Sequence, residues 1–335
     1  YAEIRGRPAL RAAIAAETMR NGGPPITVDN VIVTAGAQNA LFSASMCLFQ
    51  PGDEVIALDP MYVTYEASVA ASGAALVRVP AKPDGSFRPD PAAIAAAVTE
   101  RTRGILMCTP NNPSGVALDP AELEAIAEIA TARDLWVVSD EVYAELIFDG
   151  AHHMIASVPG MAERTVTVSS LSKSQAMTGW RAGWMIGPKE LIDHVENLSL
   201  CMLYGLPGFV QEAAVVALTE ARDEMARMRD IYRRRRDLMM AGLADLPGVR
   251  PVSPQAGMFL LVDVRGTGMS ALDFAWALFR ETGVSVLDGK AFGNATEGHV
   301  RLSYTLGENE LAEACRRIRC FAEGLGDNAG ARRDG

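Results

Sequence analysis

Residues 169–181 read Ser169-Ser170-Leu171-Ser172-Lys173-Ser174-Gln175-Ala176-Met177-Thr178-Gly179-Trp180-Arg181. They follow Thr165-Val166-Thr167-Val168, a short apolar run that predicts a buried strand. The strand exits into hydroxyls, one lysine, a glycine and, eight residues past the lysine, an arginine. A lysine shielded at a strand exit has a lowered pKa and a nucleophilic amine. Serines and an arginine beside it can hold a phosphate. Taken alone, the stretch fits a polar loop with Lys173 in solvent just as well, so the rest of the chain has to decide.

Working outward, the same pattern recurs. Val31–Thr34 predicts a strand that meets Ala35-Gly36-Ala37-Gln38 and then an apolar helix through Phe49. A glycine there lets backbone amides face an anion at a helix N-terminus, although many strand-to-helix turns carry one. Strand 54–58 ends at Asp59-Pro60, with Tyr62 just beyond, placed either to lie on a flat ring or simply to pack. Strand 104–108 runs into Thr109-Pro110-Asn111-Asn112-Pro113-Ser114-Gly115, a turn that does not itself need two asparagines. Strand 135–138 ends in Ser139-Asp140-Glu141-Val142-Tyr143. A carboxylate at the end of a buried strand is costly unless paired, or else it caps a short helical turn.

The totals exclude several classes. The 335 residues are 49% hydrophobic and 21% charged, ordinary globular usage. A net charge of −10 argues against a nucleic-acid partner. Five scattered cysteines and four histidines lack metal-ligand spacing, which predicts reduced thiols, a cytoplasmic location and no metal site; His152-His153 reads as a surface loop. No apolar run reaches the ~18 residues of a membrane span. The chain opens on Tyr1 without a methionine, which leads us to expect a missing N-terminal segment.

Towards the C-terminus, 183–186 predicts a strand and 206–243 reads as largely helical. The run Arg233-Arg234-Arg235-Arg236 within that helix reads as a solvated, ion-paired face. From Pro247 the order is strand 257–264, helix 270–281, strands 284–287 and 298–303, and helix 307–322. That pattern suggests a smaller α+β domain. Gly266-Thr267-Gly268-Met269-Ser270-Ala271 matches a dinucleotide fingerprint on paper. It comes too late in the chain to complete a Rossmann sheet, and Asp263 and Arg265 do not suit a buried parallel strand, so a plain turn is expected. We expect a large domain over 1–240, a small one over 241–323 and a flexible tail over 324–335.

Alternating strands and helices over 30–190 imply an α/β fold with a mainly parallel sheet, whose ligand sites lie beyond the strands' carboxyl ends. Gly36, Tyr62, Asn112, Asp140, Ser170 and Lys173 all fall just past such an end. Together they meet the needs of pyridoxal phosphate: an amine for its aldehyde, a phosphate cradle, a stacking ring, a partner for the pyridine nitrogen and donors to the ring oxygen.

The chain resembles the class I/II aminotransferases of fold type I, which depend on pyridoxal 5′-phosphate. The matching residues are Tyr1 with Gly6-Arg7-Pro8-Ala9-Leu10-Arg11, Gly36-Ala37-Gln38, Asn112-Pro113-Ser114-Gly115, Asp140 to Tyr143, Ser170 to Lys173, Gly179 to Trp184 and Val300-Arg301-Leu302-Ser303. They span Tyr1 to about residue 322. The resemblance implies that Lys173 bonds the cofactor and then carries the proton. Asp140 would pair with the ring nitrogen, and Tyr143 and Asn112 with the ring oxygen. Gly36, the Ala37 and Gln38 amides, Ser170, Ser172 and Arg181 would take the phosphate. Tyr62 would stack on the ring, and Arg301, with Asn112 beside it, would bind the substrate α-carboxylate. Tyr1 matches the tyrosine that reaches a neighbouring subunit's phosphate, which implies a homodimer with shared sites. The implied reaction is a ping-pong transfer from an amino acid to a 2-oxo acid. Segments 60–66, 198–205 and 232–238 are similar to the bacterial arginine–pyruvate transaminase subfamily, which makes arginine and pyruvate the expected pair. The alternatives are a C–S β-lyase on the same fold and a non-catalytic effector-sensing domain.

Overall fold

The computed structural model describes the backbone of residues 1–331 and the side chains of residues 1–325. Helix α1 (Pro8–Arg20) opens with a proline in its first turn, where the missing N–H has no helical partner to lose. Strand β1 (Val31–Thr34) is buried at every position, and helix α2 (Ala37–Leu48) follows it. Strands and helices then alternate as β2 (Glu54–Asp59), α3 (Tyr65–Ala70), β3 (Ala75–Pro80), α4 (Pro91–Ala97), β4 (Thr102–Cys108), α5 (Pro120–Ala132), β5 (Trp136–Asp140) and β6 (Thr165–Ser170). Local sequence sets the helix starts: Asp90 caps α4 and Asp119 caps α5, each just before a proline, and Glu122 completes a capping box. A short helix, α6 (Leu171–Ser174), leads towards β7 (Gly183–Ile186).

These seven strands form one sheet in the order β1-β7-β6-β5-β4-β2-β3. β7 runs antiparallel to β1 and β6, and the other pairings are parallel. Side chains alternate between two cores. Ala57, Leu106, Val138 and Val166 pack on the α2 side, and Ile56, Ile105 and Val137 on the α5 side. Three helices follow: α7 (Lys189–Met202), α8 (Gly208–Thr219) and α9 (Arg222–Gly242). α9 runs through the boundary expected at residue 240.

The second sheet is antiparallel throughout, in the order β10-β11-β9-β8. Its strands are β8 (Arg250–Val252), β9 (Phe259–Asp263), β10 (Leu287–Asp288) and β11 (His299–Ser303). Helices α10 (Ala271–Thr282) and α11 (Glu308–Ala331) pack against it through Phe274, Leu278, Leu311 and Ile318. Of the expected strand over 284–287 only Leu287 is in a strand, β10, which it forms with Asp288. Gly266 and Gly268 lie on a turn after an antiparallel strand, so the dinucleotide fingerprint has no parallel βαβ unit to sit in.

Of the expected flexible tail over 324–335, residues 324–331 continue α11, and 332–335 lie outside the described residues. Two expectations need correction. His152 is not a surface residue: its Nε2 lies 2.8 Å from Oε2 of the buried Glu141, whose other oxygen accepts from Ser139. The arginine run is not wholly solvated, since Arg236 is buried over the Phe148 ring and paired with Asp149 and Asp237. Local sequence did not reveal the remote partners in these last two cases. No helix among the described residues is long and apolar enough to cross a membrane.

Candidate active site

The carboxyl ends of β2, β4, β5 and β6 and the start of α2 open on a cavity of about 330 Å³, which β9 and β11 of the second sheet close from the far side. Ala37, Gln38, Tyr62, Asn112, Asp140, Tyr143, Ser170, Ser172, Lys173, Arg181 and Arg301 all line it. Sequence separations of up to 264 positions (Ala37 to Arg301) are thus closed in one hollow.

Lys173 reaches the cavity because Ser170 stops β6 and caps α6, its Oγ accepting from the Ser172 amide at 3.3 Å. Burial pulls the Lys173 amine below its ordinary value, Asp140 pushes it back up, and the positive charges of Arg301 and Arg181 lower it. Asp140 ends β5 and is buried. Tyr65 donates its hydroxyl to Oδ2 at 2.7 Å, and the Val142 amide donates to Oδ1 at 3.3 Å. Burial lifts the Asp140 pKa to about 6 against these two donors. The carboxylate therefore serves both as a turn acceptor and as a cavity wall.

The anion side is built from α2. Its N-cap is Gly36, at φ +81°, with no side-chain cap, so the first-turn amides are left for something else. A Cβ at Gly36 would come within 2.5 Å of Nη2 of Arg181, so glycine is what lets the guanidinium lie against this turn. Arg181 is held there by Thr178, whose carbonyl accepts from Nη1 at 2.7 Å. The Gln38 side chain is tied away to Ser68 and Thr64, leaving its amide on the helix end. Gly36 is a neighbour of the cavity through Arg181 and not one of its walls.

On the opposite wall, Arg301 projects from β11. Its Nη1 donates to Oδ1 of Asn112 at 2.9 Å. Its guanidinium carbon lies 3.9 Å from the Phe259 ring centre and 4.4 Å from that of Phe292. Burial lowers its pKa, and the Tyr143 and Tyr62 side chains push it back up. Tyr143 stands edge-on to Phe259, and Tyr62 edge-on to Tyr65.

Tyr1, expected at a neighbouring subunit's phosphate, stands outside this cavity: it is exposed, its ring 5.2 Å from Tyr204, in a separate cleft that also holds Arg5 and Glu196. Several residues were missed. Tyr65 had a faint signal, three positions after Tyr62 on the same strand exit. Cys108, Phe259 and Phe292 carried none, since apolar residues near strand ends read as core.

This arrangement sets a desolvated amine and a buried carboxylate in one cavity, with an uncapped helix end and two arginines around it. That suits a ligand with an electrophilic carbon, a basic ring nitrogen and two separate anionic groups, one for each arginine.

The family model for aminotransferase class I and II matches residues 1–318. The arginine–pyruvate transaminase of Pseudomonas aeruginosa is 54% identical over 327 residues, covering 97% of this chain and 83% of that protein. The aspartate/prephenate aminotransferase of Thermus thermophilus is 39% identical over 329 residues, with 97% and 83% covered. Among solved structures, the aromatic aminotransferase of Pyrococcus horikoshii superposes with a TM-score of 0.93 at 34% identity, covering 97% of this chain and 87% of that one. The Thermus thermophilus aspartate aminotransferase with maleate gives 0.90 at 37%, covering 95% and 83%.

Proposed function

Since the chain belongs to the class I and II aminotransferases, which move an amino group from an amino acid to a 2-oxo acid, we propose that it does so with pyridoxal 5′-phosphate in the cavity of Lys173, taking arginine as donor and pyruvate as acceptor. One observation carries the cofactor reading: the Lys173 amine and the Asp140 carboxylate face one cavity whose rim is an uncapped helix end beside Arg181. The 54% identity to an arginine–pyruvate transaminase supports the choice of substrates.

Bound, the cofactor supplies an aldehyde and an electron-withdrawing ring. The chain's own residues do the rest. Lys173, its pKa lowered by burial, would be the residue that holds the aldehyde carbon and the base and acid that moves a proton at the substrate α-carbon. Asp140 would pair with the ring nitrogen and favour its protonated form, and Tyr143 and Asn112 would donate to the ring oxygen. The Ala37 and Gln38 amides, Ser170, Ser172 and Arg181 would hold the phosphate, with Gly36 making room for the Arg181 guanidinium, and Tyr62 would cover the ring. Arg301 takes the α-carboxylate of donor and acceptor alike, bidentately.

Two copies complete the enzyme in this reading. Leu200, Met202, Leu203, Tyr204 and Phe209 are exposed at the end of α7, in the linker after it and at the start of α8, with the Tyr1 ring tilted against Tyr204. An apolar surface of this kind fits a homodimer in which Tyr1 serves the partner's site. Five free thiols fit a reducing cytoplasm.

The test is a donor screen of the purified protein against pyruvate and 2-oxoglutarate, with arginine, aspartate, alanine and an aromatic amino acid. Alanine should form from arginine and pyruvate. Another preferred donor overturns the substrate assignment, while ammonia with pyruvate as the products marks a lyase. Lys173→Ala should remove both the cofactor's visible absorbance and all transfer, and a variant that kept either would unseat Lys173.

A further inference from the structure

The carboxylate of Asp59 ends β2 of the first sheet, yet its partners belong to the loop between β10 and β11 of the second. It is 3% exposed, a costly place for a charge without donors. Oδ2 accepts from the Asn294 amide at 3.0 Å and Oδ1 from the Ala295 amide at 3.4 Å. The two segments meet again two residues away, where the Met61 amide donates to the Phe292 carbonyl at 2.8 Å. Between these contacts sits Gly293, at φ +136°, and a Cβ there would fall 1.9 Å from Oδ1 of Asp59. Residue 293 is glycine because the carboxylate occupies the space of a side chain. The same loop carries Phe292, 2% exposed, with its ring against Arg301.

An arginine side chain is long and rotamer-rich, and fixing it before a ligand arrives removes a cost that binding would otherwise bear. We propose that Asp59 is a positioning residue for substrate recognition: by clamping residues 292–295 it presses Phe292 against Arg301 and presets the guanidinium for the substrate α-carboxylate. This rests on the reading of Arg301 as the carboxylate site. Burial raises the Asp59 pKa and the two amides draw it down, consistent with a carboxylate kept for its donors.

The experiment compares Asp59→Asn, Asp59→Ala, Gly293→Ala and the double variant Asp59→Ala/Gly293→Ala with the wild-type holoenzyme. KM should rise about tenfold for amino-acid donors and for 2-oxo acceptors in Asp59→Ala, and less in Asp59→Asn, which keeps one acceptor, while kcat at saturation and the cofactor's affinity and spectrum hold. Gly293→Ala should reproduce the defect by displacing the carboxylate, and the double variant should be no worse than the more impaired single one, because both break one contact. Amide exchange at 292–296 in the holoenzyme should quicken in every variant, a readout independent of turnover.

Unchanged KM in Asp59→Ala with quickened exchange overturns the proposal, as does a matched fall in kcat and cofactor affinity or an additive double variant. If Asp59→Ala does not fold, Asp59→Asn and Gly293→Ala carry the same comparison. Arg301→Ala separates the two levels. If it leaves KM unchanged, the carboxylate reading of Arg301 fails and the proposal with it. If it raises KM while the Asp59 variants do not, only the clamp fails.

Discussion

Asp140 shows how one residue is tuned by its surroundings. Burial raises its pKa to about 6 from an ordinary 3.8, although the Tyr65 hydroxyl and the Val142 amide favour the charged form. A carboxyl raised on folding binds its proton more tightly in the folded chain than in the unfolded one. It therefore favours folding at acid pH, and that contribution is lost as pH rises through about 6. In the cofactor-free protein, Asp140→Asn should gain stability on wild type as pH climbs from about 4 to about 7, followed by urea unfolding across that range. Equal pH profiles would mean that burial is not what sets this carboxyl. The cationic ring nitrogen proposed as its partner would relieve that cost, so in the holoenzyme the advantage of Asp140→Asn should vanish or reverse.

At the scale of elements, the proposed phosphate site depends on how α2 begins. Gly36→Ala faces two obstacles, a positive φ and a Cβ 2.5 Å from the Arg181 guanidinium. We expect the dissociation constant for pyridoxal phosphate to rise about tenfold, near 1.4 kcal/mol, measured by equilibrium dialysis of the reconstituted protein. The strand exits that carry Asp140, Ser170 and Lys173 were legible because each apolar run stops abruptly at a polar residue, and β7 was read at its true bounds. The glycine at 36 was also legible, since a turn before an apolar helix has few other uses for it. What escaped were pairings between distant segments. Asp59 reads locally as the end of a strand, and nothing in Lys290 to Thr296 announces that a carboxylate 235 positions earlier will occupy the place of a side chain. Likewise, the rings flanking Arg301 come from β9 and from the loop before β11, and sequence spacing says nothing about their meeting.

Over the whole molecule, the cavity is assembled from two sheets, one mostly parallel and one antiparallel, so neither sheet alone contains the candidate site. The proposed dimer adds a further layer. Phe209 is 74% exposed on α8, in the apolar stretch proposed as the dimer surface. Phe209→Glu should shift the protein from dimer towards monomer in sedimentation experiments and lower its transfer activity. A dimer that resists the change would put the interface elsewhere.

The segment between β6 and β7 is anchored at both ends, with Ser170 paired opposite Gly183 on adjacent antiparallel strands. Residues 171–182, which bear both the amine and the guanidinium, therefore leave the sheet and return to it at neighbouring points. Swapping this segment would be a local splice in the sheet, yet not a superficial one: Leu171 and Ala182 are buried with Leu10, Ile14, Val31 and Val33, so any replacement must bring core side chains of matching shape along with the amine and the guanidinium.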